Sequence, residues 1–397
     1  MENIKAVKTA VVGCGAISGI YLTNLKHMLS IIDVVAVCDL RRESAETAAQ
    51  KYGIEKVMSL EEILEDPQIE LVVNLTGPSA HYSIVKQCLL AGKHVYTEKL
   101  LCYDLEQGRE LLKIADEKKL YLGAAPDTFL GAGLQTARKV IDSGLIGQVT
   151  SAVGCINRNY VRSSESAPFL CGIGGGLPYD MGIYYTTALL SLLGPVSRVA
   201  GFGVKPQGCT GMDPSSGRMG EQWGFKSYNT AAVALQFQSG AVGCLNVDGA
   251  SINEEQPHIA IYGTEGVMFL GDPNTFCGQV TLVRAGGEKC TVPFTHGYRG
   301  TPFYGPEEDA FLSIYGHRGI GIGEMAWAMR QNRPHRASKE MAFHAAELML
   351  GVEQCEKDGR IYEMTSSFTR PLPLKSGFMN TTFEGKVRLD AEGALVQ

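Results

Sequence analysis

The 397-residue sequence lacks several features that would assign it a class at once. None of its eleven cysteines forms a Cys-x-x-Cys pair, and its eight histidines show no His-x-x-x-His spacing. A structural or catalytic metal is therefore not expected. No apolar run reaches the length of a membrane span. The start, Met1-Glu2-Asn3-Ile4-Lys5, runs straight into a strand and reads as carrying no targeting segment. With an odd number of cysteines, the thiols are expected to be reduced, mostly buried small hydrophobes in a cytoplasmic protein. There is no excess of positive charge either. A net charge of -6 gives no electrostatic reason to bind nucleic acid or an anionic membrane. Internal repeats and low-complexity segments are also missing.

What is present is an ordinary globular composition, 45% apolar and 20% charged, enough to bury a full core. The length exceeds that of one typical core, so two domains are expected, residues 1–125 and 126–397. Over the first of these, apolar strands alternate with amphipathic helices, the pattern of a doubly wound parallel sheet. Strands are expected at Thr9–Val12, Val34–Cys38, Leu71–Asn74, His94–Thr97 and Tyr121–Ala124. The rhythm changes after Pro126. Period-two runs at Thr150–Asn157, Tyr228–Gln238, Ala241–Val247, Ile259–Tyr262 and Val267–Leu270 predict a large, mostly antiparallel sheet. Helices are expected near Gly133–Ile141, Met181–Leu193, Gly323–Met329 and Lys339–Lys357, with a long loop over Gly203–Gly224.

The first strand runs into Val11-Val12-Gly13-Cys14-Gly15-Ala16-Ile17-Ser18. Gly13 suits a tight turn, Gly15 lets the backbone approach a pyrophosphate, and the following helix aims its N–H groups at the phosphates. The third glycine of the full pattern is replaced by Ser18 or Gly19, according to alignment. Context strengthens the motif: a strand precedes it, a helix follows, and Asp39 ends the next strand. Asp39 can accept hydrogen bonds from ribose hydroxyls and would repel a 2′-phosphate, which favours NAD over NADP. Arg41 and Arg42 could instead clasp such a phosphate, or form a solvated helix start. The segment Asn74-Leu75-Thr76-Gly77-Pro78-Ser79-Ala80-His81 ends the third strand in the manner of a nicotinamide pocket, and Glu98-Lys99 ends the fourth. The bland alternative for Lys99 is a surface lysine at a strand end.

These segments, with Gly174-Gly175-Gly176 and Asp180-x-Gly182-x-Tyr184, resemble the Gfo/Idh/MocA oxidoreductases, the glucose–fructose oxidoreductase and inositol dehydrogenase family. Gly323-Glu324-Met325-Ala326, Arg336-Ala337-Ser338 and Arg370-Pro371-Leu372-Pro373-Leu374 are similar to the family's C-terminal elements. The resemblance implies an N-terminal Rossmann domain and a C-terminal α/β domain whose open sheet supports a homodimer or homotetramer. It also implies a carbohydrate or glycoside substrate. Two positions depart from the pattern. Leu100 stands where the family has proline, and a trans Lys99–Leu100 bond is expected, because cis before a non-proline residue costs about 3–4 kcal/mol. Tyr184 stands where many members have histidine.

The residues suggest the chemistry. Oxidising a secondary alcohol requires removal of the hydroxyl proton as hydride leaves the carbon. A phenol has an ordinary pKa near ~10, and the Lys99 ammonium is expected to lower that of Tyr184 and to orient its hydroxyl. Asp180, one helical turn before Tyr184, is expected to share its face and to touch substrate or tune the pair. The alternatives are a helix cap for Asp180 and a core aromatic for Tyr184, with Tyr185 the competitor. Cofactor contacts are expected from Gly13, Gly15, Ala16, Ile17, Asp39, Arg41, Asn74, Thr76, Pro78, His81, Glu98 and Lys99. Substrate contacts are expected from Lys99, Asn157, Arg158, Asp180 and Tyr184. Ser163–Phe169 could form a lid, and His296, Arg299, His317 and Arg318 could reach a polyol. The function expected is oxidation of a secondary hydroxyl of a sugar, glycoside or polyol to a ketone, and the resemblance to family members acting on glycosides implies C3 of a pyranoside. A redox-neutral NAD-dependent glycosidase is the related alternative. A non-catalytic NAD-binding sensor is the alternative of another class, and it predicts loss of the lysine and phenol that this chain keeps.

Overall fold

The computed structural model describes residues 4–165, 167–207, 224–298 and 316–376. The first part of the chain alternates strand and helix. It runs β1 (Val7–Val12), α1 (Ser18–His27), β2 (Ile32–Cys38), α2 (Arg42–Tyr52), β3 (Lys56–Val57), α3 (Leu60–Glu65) and β4 (Leu71–Asn74), then α4 (His81–Leu90), β5 (His94–Thr97), α5 (Leu105–Glu117) and β6 (Leu122–Ala124). The strands pair in parallel in the order β3-β2-β1-β4-β5-β6. The order reverses between β1 and β4, and a ligand crevice belongs at that switch point. Helices cover both faces, so β4 is buried at every residue and β1 at all but one. Local signals set the helix ends: Gly53, at φ 61°, stops α2, and Ser59 and Glu62 form a reciprocal capping box at α3.

The second part continues with α6 (Ala132–Asp142), β7 (Val149–Asn157), α7 (Tyr160–Ser163), a π-type turn at Pro178–Gly182, α8 (Ile183–Leu193), β8 (Val196–Val204), β9 (Thr230–Phe237) and β10 (Val242–Asp248). There follow β11 (Ile259–Gly263), β12 (Gly266–Leu270), β13 (Val280–Arg284), β14 (Cys290–Val292), α9 (Ile320–Gln331), α10 (Lys339–Asp358) and β15 (Tyr362–Glu363). Nine strands form one sheet, β14-β13-β12-β11-β7-β10-β9-β8-β15, antiparallel throughout except for the β7–β10 pair. One face packs on helices. The other leaves Phe202, Val204 and Val242 more than half exposed. All eleven residues of α8 are buried, as a predominantly apolar helix between a sheet and other helices must be.

β8 departs from expectation. Gly203 reads as the start of a loop, yet the backbone of β9 at Gly201 and the Tyr228 ring at Gly203 crowd these positions so closely that a Cβ would collide. The glycines are there to permit packing. The expected loop over Gly203–Gly224 therefore starts inside a strand, and its 208–223 stretch lies outside the described residues. β13 and β14 extend the sheet beyond the expected runs. Among the described residues no helix is long and apolar enough to cross a membrane, and none of the ten described cysteines is in a disulfide.

The last third of the chain returns to the first sheet. Arg330 on α9 pairs with Glu70 through two hydrogen bonds of 2.7 Å and also reaches the carbonyls of Lys5 and Ala6. Within this return, Glu324 is fully buried and accepts from Arg333 at 2.6 Å, from the Arg336 side chain at 2.5 Å and from the Arg336 N–H at 2.8 Å. Burial opposes its charge, but the two arginines hold the carboxyl below its ordinary range. Its stabilisation is therefore complete above the ordinary glutamate range and is lost as pH falls through the folded-state value. Glu324→Ala should cost about 3 kcal/mol near neutral pH in urea denaturation, with the difference from wild type shrinking in acid.

Candidate active site

The glycine turn lies against the end of β4. Gly13 has φ +100°, and a Cβ there would stand 2.7 Å from the Leu75 carbonyl carbon and 2.8 Å from Thr76 N. At Gly15 the space for a side chain is open. Ile17 precedes α1 without a side-chain cap, and the first turn of the helix carries no acidic residue. Its N–H groups and positive dipole end are thus left to an anionic ligand. At the end of β2, Asp39 accepts from the Cys14 and Arg41 N–H groups, both at 2.8 Å. A carboxylate has further lone pairs, so ribose hydroxyls can still be accepted there. Arg41 is exposed at the start of α2, and Arg42 is ion-paired with Glu46 at 3.0 Å. The cradle therefore fits a dinucleotide, with Gly13, Gly15 and the start of α1 at the pyrophosphate and Asp39 at the ribose.

From this cradle a cleft runs to the turn before α8. It is lined by Gly15, Ala16, Ile17, Thr76, Pro78, His81, Glu98, Lys99, Asp180 and Tyr184 among the expected residues, and also by Tyr103, Phe169 and Tyr179. Asn74 is fully buried behind it. There it donates to Thr97 Oγ1 at 3.0 Å and accepts from the Thr76 hydroxyl at 2.8 Å, shaping the wall rather than lining it. Glu98 is anchored by the Tyr21 hydroxyl at 2.6 Å and the Lys99 N–H at 3.0 Å. His81 places its two ring nitrogens 2.8 Å from the Leu100 carbonyl and 3.0 Å from the Thr76 carbonyl. Burial lowers its pKa, so a neutral imidazole donates to one of the two.

The Lys99–Leu100 bond is cis, not trans as expected. Both polar groups of Leu100 are held by the surrounding structure, the N–H by the Tyr103 hydroxyl at 3.3 Å and the carbonyl by His81. Lys99 reaches across to the second part of the chain. Its ammonium is ion-paired with the Asp180 carboxylate and donates to the Asp180 carbonyl at 2.9 Å. The second carboxylate oxygen accepts from the Tyr160 hydroxyl at 2.5 Å. Asp180 sits in the π-type turn rather than on a regular helical face. Burial works against both charges. The pairing wins, holding Lys99 above its ordinary pKa and Asp180 below its own.

The Lys99 ammonium thus lies over the Tyr184 ring, 5.5 Å from its centroid, and its hydrogen bonds go to Asp180 rather than the phenol. Arg318 is also over this ring, its Cζ 5.2 Å from the centroid. Burial raises the Tyr184 pKa, while Arg318 and then Lys99 pull it down. The balance stays above the ordinary phenol value, opposite to expectation, because burial is the largest effect. Tyr185 points elsewhere, its hydroxyl 2.6 Å from His258 Nδ1.

Asn157 and Arg158 do not line the cleft. Arg158 is ion-paired with Glu254 at 3.0 Å and lies 3.5 Å from Asp272, and the Asn157 side-chain oxygen is buried without a hydrogen-bond partner among the described residues. Phe169, at the end of the expected lid, does line it. His296 is bound to the Leu374 carbonyl at 2.9 Å, and His317 is buried against the Phe276 and Tyr298 rings. Arg299 lies outside the described residues. Tyr103 and Tyr160 belong to the site without any sequence signal to mark them. Tyr160 opens α7 just beyond Asn157, the last residue of β7, in a stretch that carries no motif. Its meeting with Asp180 is purely tertiary.

Comparison with known proteins places this geometry. Residues 7–125 match the model of an oxidoreductase family with an NAD-binding Rossmann fold, and residues 134–269 match the GFO/IDH/MocA C-terminal domain. An uncharacterized oxidoreductase of Schizosaccharomyces pombe is 31% identical over 191 residues, 47% of this chain and 52% of that protein. The match thus spans about half the length of this relative. The myo-inositol 2-dehydrogenase of Thermotoga maritima is 24% identical over 265 residues, 66% of this chain and 75% of its own. A levoglucosan dehydrogenase, solved with NADH and levoglucosan, superposes with a TM-score of 0.77 at 16% identity, covering 91% of this chain and 100% of that one. At that identity the likeness concerns the fold.

The cradle makes a direct demand. Gly13→Ala should weaken NADH binding about tenfold or more, read by fluorescence titration, with far-UV circular dichroism unchanged.

Proposed function

Because the chain belongs to the Gfo/Idh/MocA oxidoreductase family, we propose that it is an NAD-dependent dehydrogenase oxidising a secondary hydroxyl of a sugar, polyol or glycoside to a ketone. The observation that carries this reading is the Lys99–Asp180 ion pair, set in the cleft beside Tyr184 and continuous with the glycine cradle. NAD, when bound, accepts the hydride. Gly13, Gly15 and the open start of α1 would hold its phosphates, and Asp39 would favour the unphosphorylated ribose.

The chain's own residues handle the proton. Lys99 is committed as a cation by Asp180, so it serves to stabilise a developing alkoxide rather than to accept the proton. Tyr184 lines the cleft with a phenol, and in oxidation the substrate hydroxyl gives its proton to the phenolate. With its pKa raised, Tyr184 is protonated near neutral pH and is ready to donate in the reverse reaction. Oxidation should therefore accelerate as pH rises from neutral into the alkaline range, and ketone reduction should fall over the same range. The position we infer, C3 of a pyranoside, follows the resemblance to family members that act on glycosides there.

The exposed apolar face of the nine-stranded sheet, with Phe202, Val204 and Val242, supports pairing of subunits through that sheet. Light scattering should give a multiple of the 42.8 kDa chain mass; a monomer at all concentrations would exclude it.

The functional test is NADH formation across a panel of sugars, inositols and glycosides, with the oxidised carbon located by NMR of the product. Tyr184→Phe and Lys99→Met should each lower kcat by roughly 10²–10⁴-fold while NADH still binds. Full turnover in both variants would overturn the reading. Release of an aglycone without net NADH would instead identify a redox-neutral glycosidase.

A further inference from the structure

Two cations lie over Tyr184, and they are differently engaged. Lys99 is ion-paired with Asp180, whose carboxylate offsets much of its charge. Arg318 donates Nη2 to the Asn274 side-chain oxygen at 2.7 Å, which orients the guanidinium. The Arg318 backbone is held from both sides. Its carbonyl accepts from Asn24 Nδ2 at 2.7 Å, and the next N–H groups, of Gly319 and Gly321, donate to Asp127 Oδ2 at 2.9 and 3.0 Å. Gly319, at φ +99°, turns the chain from Arg318 into α9. Burial opposes the guanidinium charge, but Tyr184, Tyr21, Glu98 and Asp127 around it more than restore the cation. An arginine on such a mount keeps its charge at any working pH.

We propose that Arg318 is a positioning residue of this site: it holds a permanent positive charge over the Tyr184 ring and so sets the pH range in which that phenol exchanges a proton with substrate. The inference rests on the reading of Tyr184 as the proton-transfer group. Around this phenol stand Tyr96 from β5, Glu98 and Lys99 just after it, Tyr160 from α7, Asp180 from the π-type turn and Arg318 before α9. Burial, Glu98 and Asp180 disfavour the phenolate. Arg318 is the largest influence in its favour, ahead of Lys99.

The experiment is the pH profile of kcat for alcohol oxidation in wild type, Arg318→Met, Arg318→Lys and Tyr184→Phe. In Arg318→Met the acid limb should move upward by about one pH unit or more, with the alkaline rate within a few-fold of wild type. Arg318→Lys should restore most of the limb's position. A uniform loss of rate with the limb unmoved would overturn the proposal. If Arg318→Met fails to bind NADH and so is misfolded, Asn274→Ala carries the test: loss of the contact that orients the guanidinium should move the limb upward, and an unmoved limb overturns the proposal. Tyr184→Phe separates the two levels. Its inactivity beside an unmoved Arg318 limb removes Arg318 alone, whereas a fully active Tyr184→Phe removes the reading of Tyr184 itself.

Discussion

The half-buried pairing of Lys99 with Asp180 is the constraint on which the site depends. One partner follows β5 of the parallel sheet, the other opens the helix beneath the antiparallel sheet, and neither could keep its charge there alone. An isolated ammonium or carboxylate so largely shielded from water would be destabilised there. Each therefore needs the other in place, and the two halves of the cleft are registered by that need. Tyr160 completes the arrangement by occupying the second carboxylate oxygen, which leaves Asp180 little freedom to rotate.

Burial and charge oppose each other at the phenol of this cleft. Burial of Tyr184 favours its neutral form, while the cations over its ring favour the ionised one. A group pulled in both directions can be adjusted by modest changes in its surroundings. The fold thus separates the duties of its basic residues. On the proposed mechanism Lys99 meets the oxygen that gains charge, and Arg318 acts on the phenol.

Much of this was legible in the linear order of residues because the signals are local. The glycine turn and Asp39 at the strand end each lie within one supersecondary unit, where spacing implies geometry. Asp180 and Tyr184 were legible as a pair, but their relation to Lys99 was not. Helical spacing suggests that lysine and phenol meet directly, whereas a π-type turn carries the Asp180 carboxylate to the ammonium first. The cis bond before Leu100 was illegible for the same reason: it runs against the local preference, and the His81 ring that meets the Leu100 carbonyl is brought there by the fold. Strand β8 was obscured by glycines whose purpose is close packing, and Arg318 is far from Tyr184 in sequence.

The return of α9 to the first sheet bears on modularity. Glu70 and Asn24, which belong to the nucleotide-binding half, find their partners Arg330 and Arg318 near the far end of the chain. Asp127 likewise fastens the entrance to α9. A graft of the Rossmann segment onto another protein at its sequence boundary would leave these contacts behind. The portable unit is discontinuous: it comprises the first segment together with α9, and the antiparallel sheet is in effect inserted between them. Exchange of cofactor domains among relatives must respect that interleaving, however cleanly the two sheets divide on the linear map.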